Sequence, residues 1–194
     1  DRAKYWSKTT LPWMSIGYET QIAPINTVAF YNAIANNGKM MQPRFVKQLV
    51  KDGQVIKEFE PVVLKEQIAK PKAIKTMQTI LEHVVSQGLG RKAGSKSFKV
   101  AGKTGTAQVA DEHGSYHSGT TRYWLSVAGF FPADDPRYTC IVCIKKSGLP
   151  ASGGGMSGVV FHHIAEGVMA QNLKLSVADA RDSSSVFRPG IKQD

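Results

Sequence analysis

The chain has 194 residues, 42% hydrophobic and 21% charged, which excludes a disordered chain and suffices for one cored domain or a large piece of a bigger one. Its longest uncharged apolar stretch, Trp124 to Ala133, is about half of the ~20 residues a membrane span needs, and Asp1-Arg2-Ala3-Lys4 opens no signal-peptide pattern, so any export signal or anchor is expected outside this chain. The net charge of +10 (25 basic against 15 acidic residues) is spread out, with only short groupings such as Lys70-Pro71-Lys72 and Arg91-Lys92 and no interleaved aromatics, which reads as a solvated surface and not as a nucleic-acid partner site.

Asp1 to Ala23, with Trp6, Trp13 and Tyr18 between polar residues, reads as irregular structure crossing a surface. Pro24 occupies a first helical position and Gly38 follows Asn36-Asn37 as a stop, with Ile25, Val28, Ala29 and Ala33 as the apolar stripe between them. Arg44 to Val50 and Val55 to Phe59 read as β-runs joined at Asp52-Gly53, a strong hairpin signal. A second helix is expected from Pro71 to Gln87, with Ile74, Met77, Leu81, Val84 and Val85 on its inner face and Gly88 ending it.

Leu89 to Ser97 is rich in Gly, Lys and Ser and reads as loop. Three strands follow, at Phe98 to Val109, Tyr123 to Phe131 and Tyr138 to Lys145. A polar loop from Ala110 to Thr121 joins the first two strands, and a short turn at Ala133-Asp134-Asp135-Pro136 joins the last two. A glycine-rich loop then runs from Ser147 to Gly155, followed by a helix from Ser157 to Leu173 with Val159, Val160, Ile164 and Val168 as its buried stripe. Residues 1–172 read as one structural unit and 173–194, with Ser183-Ser184-Ser185, as a polar tail or linker. Consecutive antiparallel strands closed by a C-terminal helix predict an α+β fold, an antiparallel sheet with packed helices. The last strand is apolar on both faces, so layers are needed on both sides, and this short chain need not supply both.

Cys140 and Cys143 stand as Cys-x-x-Cys, which invites a redox reading. Their segment is a β-run, however, and residues three apart on a strand point to opposite faces, so two buried inert thiols are expected. His113 and His117, with Asp111 and Glu112 beside them, raise a metal site. Gly114, Ser115, Ser118 and Gly119 exclude a helix that would align them, and a solvated loop without metal is expected. Of His162 and His163 in the last helix, one ring should pack and the other meet water.

The segment that carries chemistry is Val100-Ala101-Gly102-Lys103-Thr104-Gly105-Thr106-Ala107-Gln108. Lys103 is a compact cation able to polarise a nearby hydroxyl or attract a carboxylate. Thr104 and Thr106, two apart, share one face of a regular strand, and Gly105 between them lets a ligand backbone approach. Lys-Thr-Gly on a strand, followed by two further strands, a glycine-rich loop and a helix, resembles the third motif of penicillin-binding proteins. Ser15-Ile16-Gly17-Tyr18 and the following helix to Gly38 resemble the glycine-tyrosine turn and helix that precede this strand in class B penicillin-binding proteins. Trp124 to Pro132, and Gly153-Gly154-Gly155 leading into Val159-Val160-Phe161, resemble the family's next strand and the entry to its terminal helix. The likeness runs over residues 10 to 172.

The resemblance implies the C-terminal part of a penicillin-binding/β-lactamase-like D,D-transpeptidase domain that cross-links peptidoglycan stem peptides ending in D-Ala-D-Ala and is acylated by β-lactam antibiotics. It implies that Lys103 and Thr106 are catalytic, the Thr106 N–H being half of an oxyanion hole, and that Thr104, Gly105 and Thr106 bind substrate, the two hydroxyls taking the terminal carboxylate. Tyr116, Arg122, Tyr123 and Gly154 are candidates to line the cleft by position. It implies no cofactor, an extracytoplasmic location on the periplasmic face of the inner membrane, and divisome or elongation-machinery partners. No serine in the chain has lysine three residues on, and no Ser-x-Asn triplet occurs, so the nucleophile and second motif are expected in an upstream half and this chain alone should not acylate. A D,D-carboxypeptidase or serine β-lactamase fragment shares the third motif, and a non-catalytic wall-peptide-binding or sensor module is the alternative of another class.

Overall fold

A computed structural model of the chain describes residues 6–18, 20, 22–110, 116 and 120–181. The segment read as irregular holds a short helix, α1 (Thr10–Ser15), whose one buried residue is Thr10. Helix α2 (Pro24–Ala35) starts on its proline and stops where Asn37 (φ 54°) and Gly38 (φ +100°) turn left-handed, the Gly38 N–H returning to the Ala33 carbonyl at 2.7 Å.

Strand β1 (Met40–Met41) pairs with β4 (Val63–Lys65), a ladder too short to leave a periodic signal. Strands β2 (Gln48–Lys51) and β3 (Gln54–Glu58) form the expected hairpin, with Asp52 (φ 51°) and Gly53 (φ 78°) in the paired positive-φ conformation such a two-residue loop demands. The first β-run is shorter than expected. Arg44 to Lys47 lie outside the ladder, and Phe45 is 86% exposed.

Helix α3 (Pro71–Ser86) buries Ile74, Leu81 and Val85. Met77, expected on that face, is exposed; Gln78 turns inward and donates to the Ile34 carbonyl at 2.8 Å, tying α3 to α2.

The centre is the antiparallel sheet β5 (Ala101–Val109), β6 (Arg122–Phe131), β7 (Tyr138–Ser147), in that spatial order. Its strands alternate between two faces. One face carries Val127, Phe131 and Val142 against Phe161 and Ala165 of α4 (Gly158–Arg181), with Val85, Ala93 and Val100 completing the cluster. The other carries Ala101 and Phe130 against Ile34, Ala35 and Leu81. The adjacent Phe130 and Phe131 are each at most 1% exposed, one in each core. Each large side chain buried this way stabilises by about 1.5–3 kcal/mol.

Both faces of β7 are therefore covered by this chain's own helices at its Tyr138 end. Cys140, Val142 and Ile144 pack with the α4 core, and Asn32 of α2 donates to Thr139 on the opposite face at 3.2 Å. The mixed helix and antiparallel sheet agrees with the expected α+β class.

The buried stripe of α4 is a correction. Val159, Val160 and Ile164 are exposed, and Phe161, Ala165, Val168 and Met169 face the core. The largest side chain sets the helix rotation, Phe161 meeting Phe131 edge to face at 5.8 Å. The glycine run is also no plain loop, for Gly153–Ser157 forms one wide π-helical turn feeding α4, which continues to Arg181 and past Leu173. As expected, His162 is half-buried, its Nδ1 2.8 Å from the Gly94 carbonyl, while His163 is exposed. The two cysteines are free, half-buried and on opposite faces, opposite Gly129 and Ser126. Asp111, Glu112, His113, His117 and residues 182–194 lie outside the described residues.

Candidate active site

Strand β5 is an edge strand, since β6 pairs with it on one side only. In an antiparallel ladder alternate residues turn their N–H and C=O toward the partner strand, and those between turn them away. Two contacts fix the parity here. The Lys99 carbonyl accepts from Ala133 N–H at 2.8 Å, on the β6 side, and the Gln108 N–H donates to the Tyr18 hydroxyl at 3.0 Å, off the free side. Thr104 and Thr106 share the parity of Gln108, so their N–H groups point off the free edge.

The side chains sort by the same alternation. Thr104 and Thr106 stand opposite Val127 and Leu125 on the α4 face, whereas Lys103 and Gly105 stand opposite Ala128 and Ser126 on the α2 face. The expected shared face of Thr104 and Thr106 is thus realised. Lys103 is exposed and curls back over the edge, its ammonium 2.8 Å from the Thr104 carbonyl. The motif therefore places a cation, two hydroxyls and outward backbone donors around one stretch of strand edge.

The π-turn braces the hydroxyl face. Gly153 N–H donates to Thr106 Oγ1 at 2.9 Å, and Gly154 lies against the Thr104 methyl, where an added Cβ would stand 3.4 Å away. Gly154 is buried, and its added Cβ would also come within 2.3 Å of the Leu89 carbonyl, so it acts as packing beneath Thr104. The turn is capped by Ser152, whose hydroxyl accepts from Gly155 N–H at 2.8 Å.

Of the remaining candidates, Arg122 and Tyr123 pair with Val109 and Gln108, at the end of β5 away from Lys103. Tyr116 lies against Tyr18 edge to face, ring centres 6.1 Å apart, beyond that same end. On the α2 face there, Lys145 Nζ stands 5.3 Å over the Trp124 ring. Among the described residues no group of three or more His, Cys, Asp or Glu could hold a metal ion.

The contacts of Tyr18 and Gly153 were not expected from the sequence. The glycine beside a tyrosine was the available signal for the first, and Gly17 does turn left-handed (φ +96°). For the second it was the glycine run itself, since an added Cβ at Gly153 would sit 2.2 Å from the Gly105 carbonyl.

Comparison with known proteins gives the family and the fold of the chain. The family model described as the penicillin binding protein transpeptidase domain matches residues 2–166. Penicillin-binding protein PbpB of Mycolicibacterium smegmatis is 31% identical over 183 residues, covering 88% of this chain and 28% of that protein. Stage V sporulation protein D of Bacillus subtilis is 30% identical over 153 residues, 77% of this chain and 23% of that protein. Among solved structures, the transpeptidase domain of Burkholderia pseudomallei penicillin-binding protein 3 superposes with a TM-score of 0.60 at 27% identity, covering 87% of this chain and 48% of that one. The FtsI4 transpeptidase domain of Legionella pneumophila gives a TM-score of 0.51 at 25% identity, covering 73% and 44%. The chain thus spans about a quarter of the length of the curated relatives it matches. On sequence and fold, the chain belongs to the penicillin-binding protein transpeptidase domain family, of the class B kind.

Proposed function

We propose that this chain supplies the carboxylate- and oxyanion-binding side of a serine-type D,D-transpeptidase that cross-links peptidoglycan stem peptides, with the nucleophilic serine contributed by an upstream half of the parent protein. The observation that carries this reading is the edge of β5, where Lys103, the Thr104 and Thr106 hydroxyls and the outward Thr106 N–H converge without an intervening strand.

In this reading the parent's serine oxygen attacks the penultimate D-Ala carbonyl and a tetrahedral oxyanion forms. The Thr106 N–H donates to that oxyanion, where one such donor is worth about 10²–10³ in rate. The C–N bond to the terminal D-Ala then breaks, and D-Ala leaves after taking a proton. An amine of a neighbouring stem peptide attacks the acyl-enzyme, forms the new amide and returns the serine. Lys103 holds the serine's environment cationic, while the Thr104 and Thr106 hydroxyls receive the terminal carboxylate. A β-lactam carries a carboxylate and a reactive carbonyl in like positions and would acylate the same serine.

Such a substrate lies outside the cytoplasm, so the parent works at the periplasmic face of the inner membrane, held by a segment beyond this chain. Among the described residues no helix is long and apolar enough to cross a membrane. Divisome or elongation-machinery partners follow from the same reading, as does the absence of nucleic acid and cofactor from the reaction.

Fluorescent penicillin tests it. The parent should label covalently and the 194-residue chain alone should not. An unlabelled parent, or an adduct on the isolated chain that survives a denaturing gel, overturns this division of the site.

A further inference from the structure

The free edge of β5 is closed at both ends. At its start Ala101 and Gly102 are buried, with α3 packed along them. At its far end the outward Gln108 N–H is already taken by the Tyr18 hydroxyl at 3.0 Å. Tyr18 is held there by Trp13 on one side, edge to face at 5.1 Å, and by Tyr116 on the other.

We infer that Tyr18 is a positioning residue that limits the peptide-pairing stretch of this edge to Thr104–Thr106 and so fixes the register of an extended ligand. The inference takes from the proposed transpeptidase reading only the identity of the ligand, for the closure is a property of this chain.

Closing the edge at both ends prevents slippage. A peptide adding to a strand edge pairs with outward N–H and C=O groups, and a shift by two residues preserves both the hydrogen-bond pattern and the side-chain faces. Such a shift is the cheapest binding error open to an extended ligand. From Thr104 and Thr106 the next outward donor is Gln108. Gly102, the outward donor on the other side, is buried. While Tyr18 occupies Gln108, a slipped peptide would lose a pairing partner, and its scissile carbonyl would stand two residues away from the Thr106 N–H. The register that survives is the productive one.

Two experiments decide this. In backbone amide exchange on the 194-residue chain, the Gln108 N–H should exchange about tenfold faster in Tyr18→Phe, which keeps the ring and removes the acceptor. Lys103 and Gly105, which face β6, should be unchanged. An equal Gln108 rate in both chains overturns the inference whatever the parent enzyme does. In the parent, Tyr18→Ala assayed with a pentapeptide ending in D-Ala-D-Ala should show non-productive binding: kcat and KM fall together about three- to tenfold and kcat/KM stays constant. A merely structural role would lower kcat/KM, and that outcome, or no change in either constant, overturns it. Penicillin labelling of the unsubstituted parent separates the two levels. Its failure removes the transpeptidase reading and leaves the edge closure to be decided by amide exchange.

Discussion

Gly153 N–H and Thr106 Oγ1 are joined by a 2.9 Å hydrogen bond that runs from backbone to side chain, and its direction matters. A threonine oxygen that accepts this bond keeps its own hydrogen free to donate. A carboxylate, which only accepts, is the matching partner. Thr106→Val should leave the buried Gly153 N–H unpaired and lower the stability of the chain by about 1–3 kcal/mol in denaturant titration, whereas Thr106→Ser should restore it. Equal stability of the Val and Ser variants would show that the bond contributes nothing.

Gly153→Ala should be more damaging than an ordinary helix-entry substitution. The new Cβ would stand 2.2 Å from the Gly105 carbonyl oxygen and 3.0 Å from that of Ser126, both backbone atoms that cannot rotate away. Overpacking of this kind costs about 1–3 kcal/mol. A lowered melting temperature checks it, and a melting curve like that of the unsubstituted chain refutes it.

Lys103→Ala in the parent should slow penicillin labelling by about 10² or more, a typical cost of losing a catalytic group. Stopped labelling reactions read on a gel would measure it. Near-normal labelling would remove Lys103 from the chemistry.

Ser157→Ala should stabilise the chain by about 1 kcal/mol or leave it unchanged. The Ser157 hydroxyl is fully buried and, among the described residues, has no hydrogen-bond partner, so removing it relieves an unsatisfied polar group. A clear loss of stability in thermal unfolding would mean the hydroxyl has a structural role.

Burial pushes the Cys140 thiol above its ordinary pKa, and burial likewise raises that of the Tyr31 phenol. In both the folded chain favours the neutral, protonated form. Their contribution to stability is complete below the ordinary thiol and phenol ranges, and it is lost as pH climbs through them toward the raised folded values. Stability should therefore decline on the alkaline side, first through the thiol. At pH 8 the folded chain should alkylate Cys140 more slowly than the urea-unfolded chain does, read by mass spectrometry. Equal rates would count against the shift.

What was legible in the sequence was what local chemistry dictates. Pro24 and Pro71 marked helix starts, Asp52-Gly53 forced its turn, and the three long strands could be read from their β-branched runs. The Lys-Thr-Gly strand was legible because residue spacing on a strand is itself geometry. The misses concern choices made by tertiary packing. Helix α4 offers two apolar stripes, and only the presence of Phe131 across the sheet decides for Phe161 over Val160 and Ile164. Met77 lost its place to Gln78 because an amide reaches the Ile34 carbonyl, a partner 44 positions away in sequence. The Tyr18–Gln108 bond, 90 positions apart, leaves no trace in either local pattern.

A bare strand edge is also a hazard, because it will pair with another copy as readily as with a ligand. Here the edge of β5 is blunted by the covering of Gly102, the capping of Gln108 and the Lys103 ammonium resting on the Thr104 carbonyl. Two copies meeting edge to edge would find only Thr104 and Thr106 to pair with, a ladder too short to persist against like charge. These features keep this basic chain from seeding a sheet with its own kind.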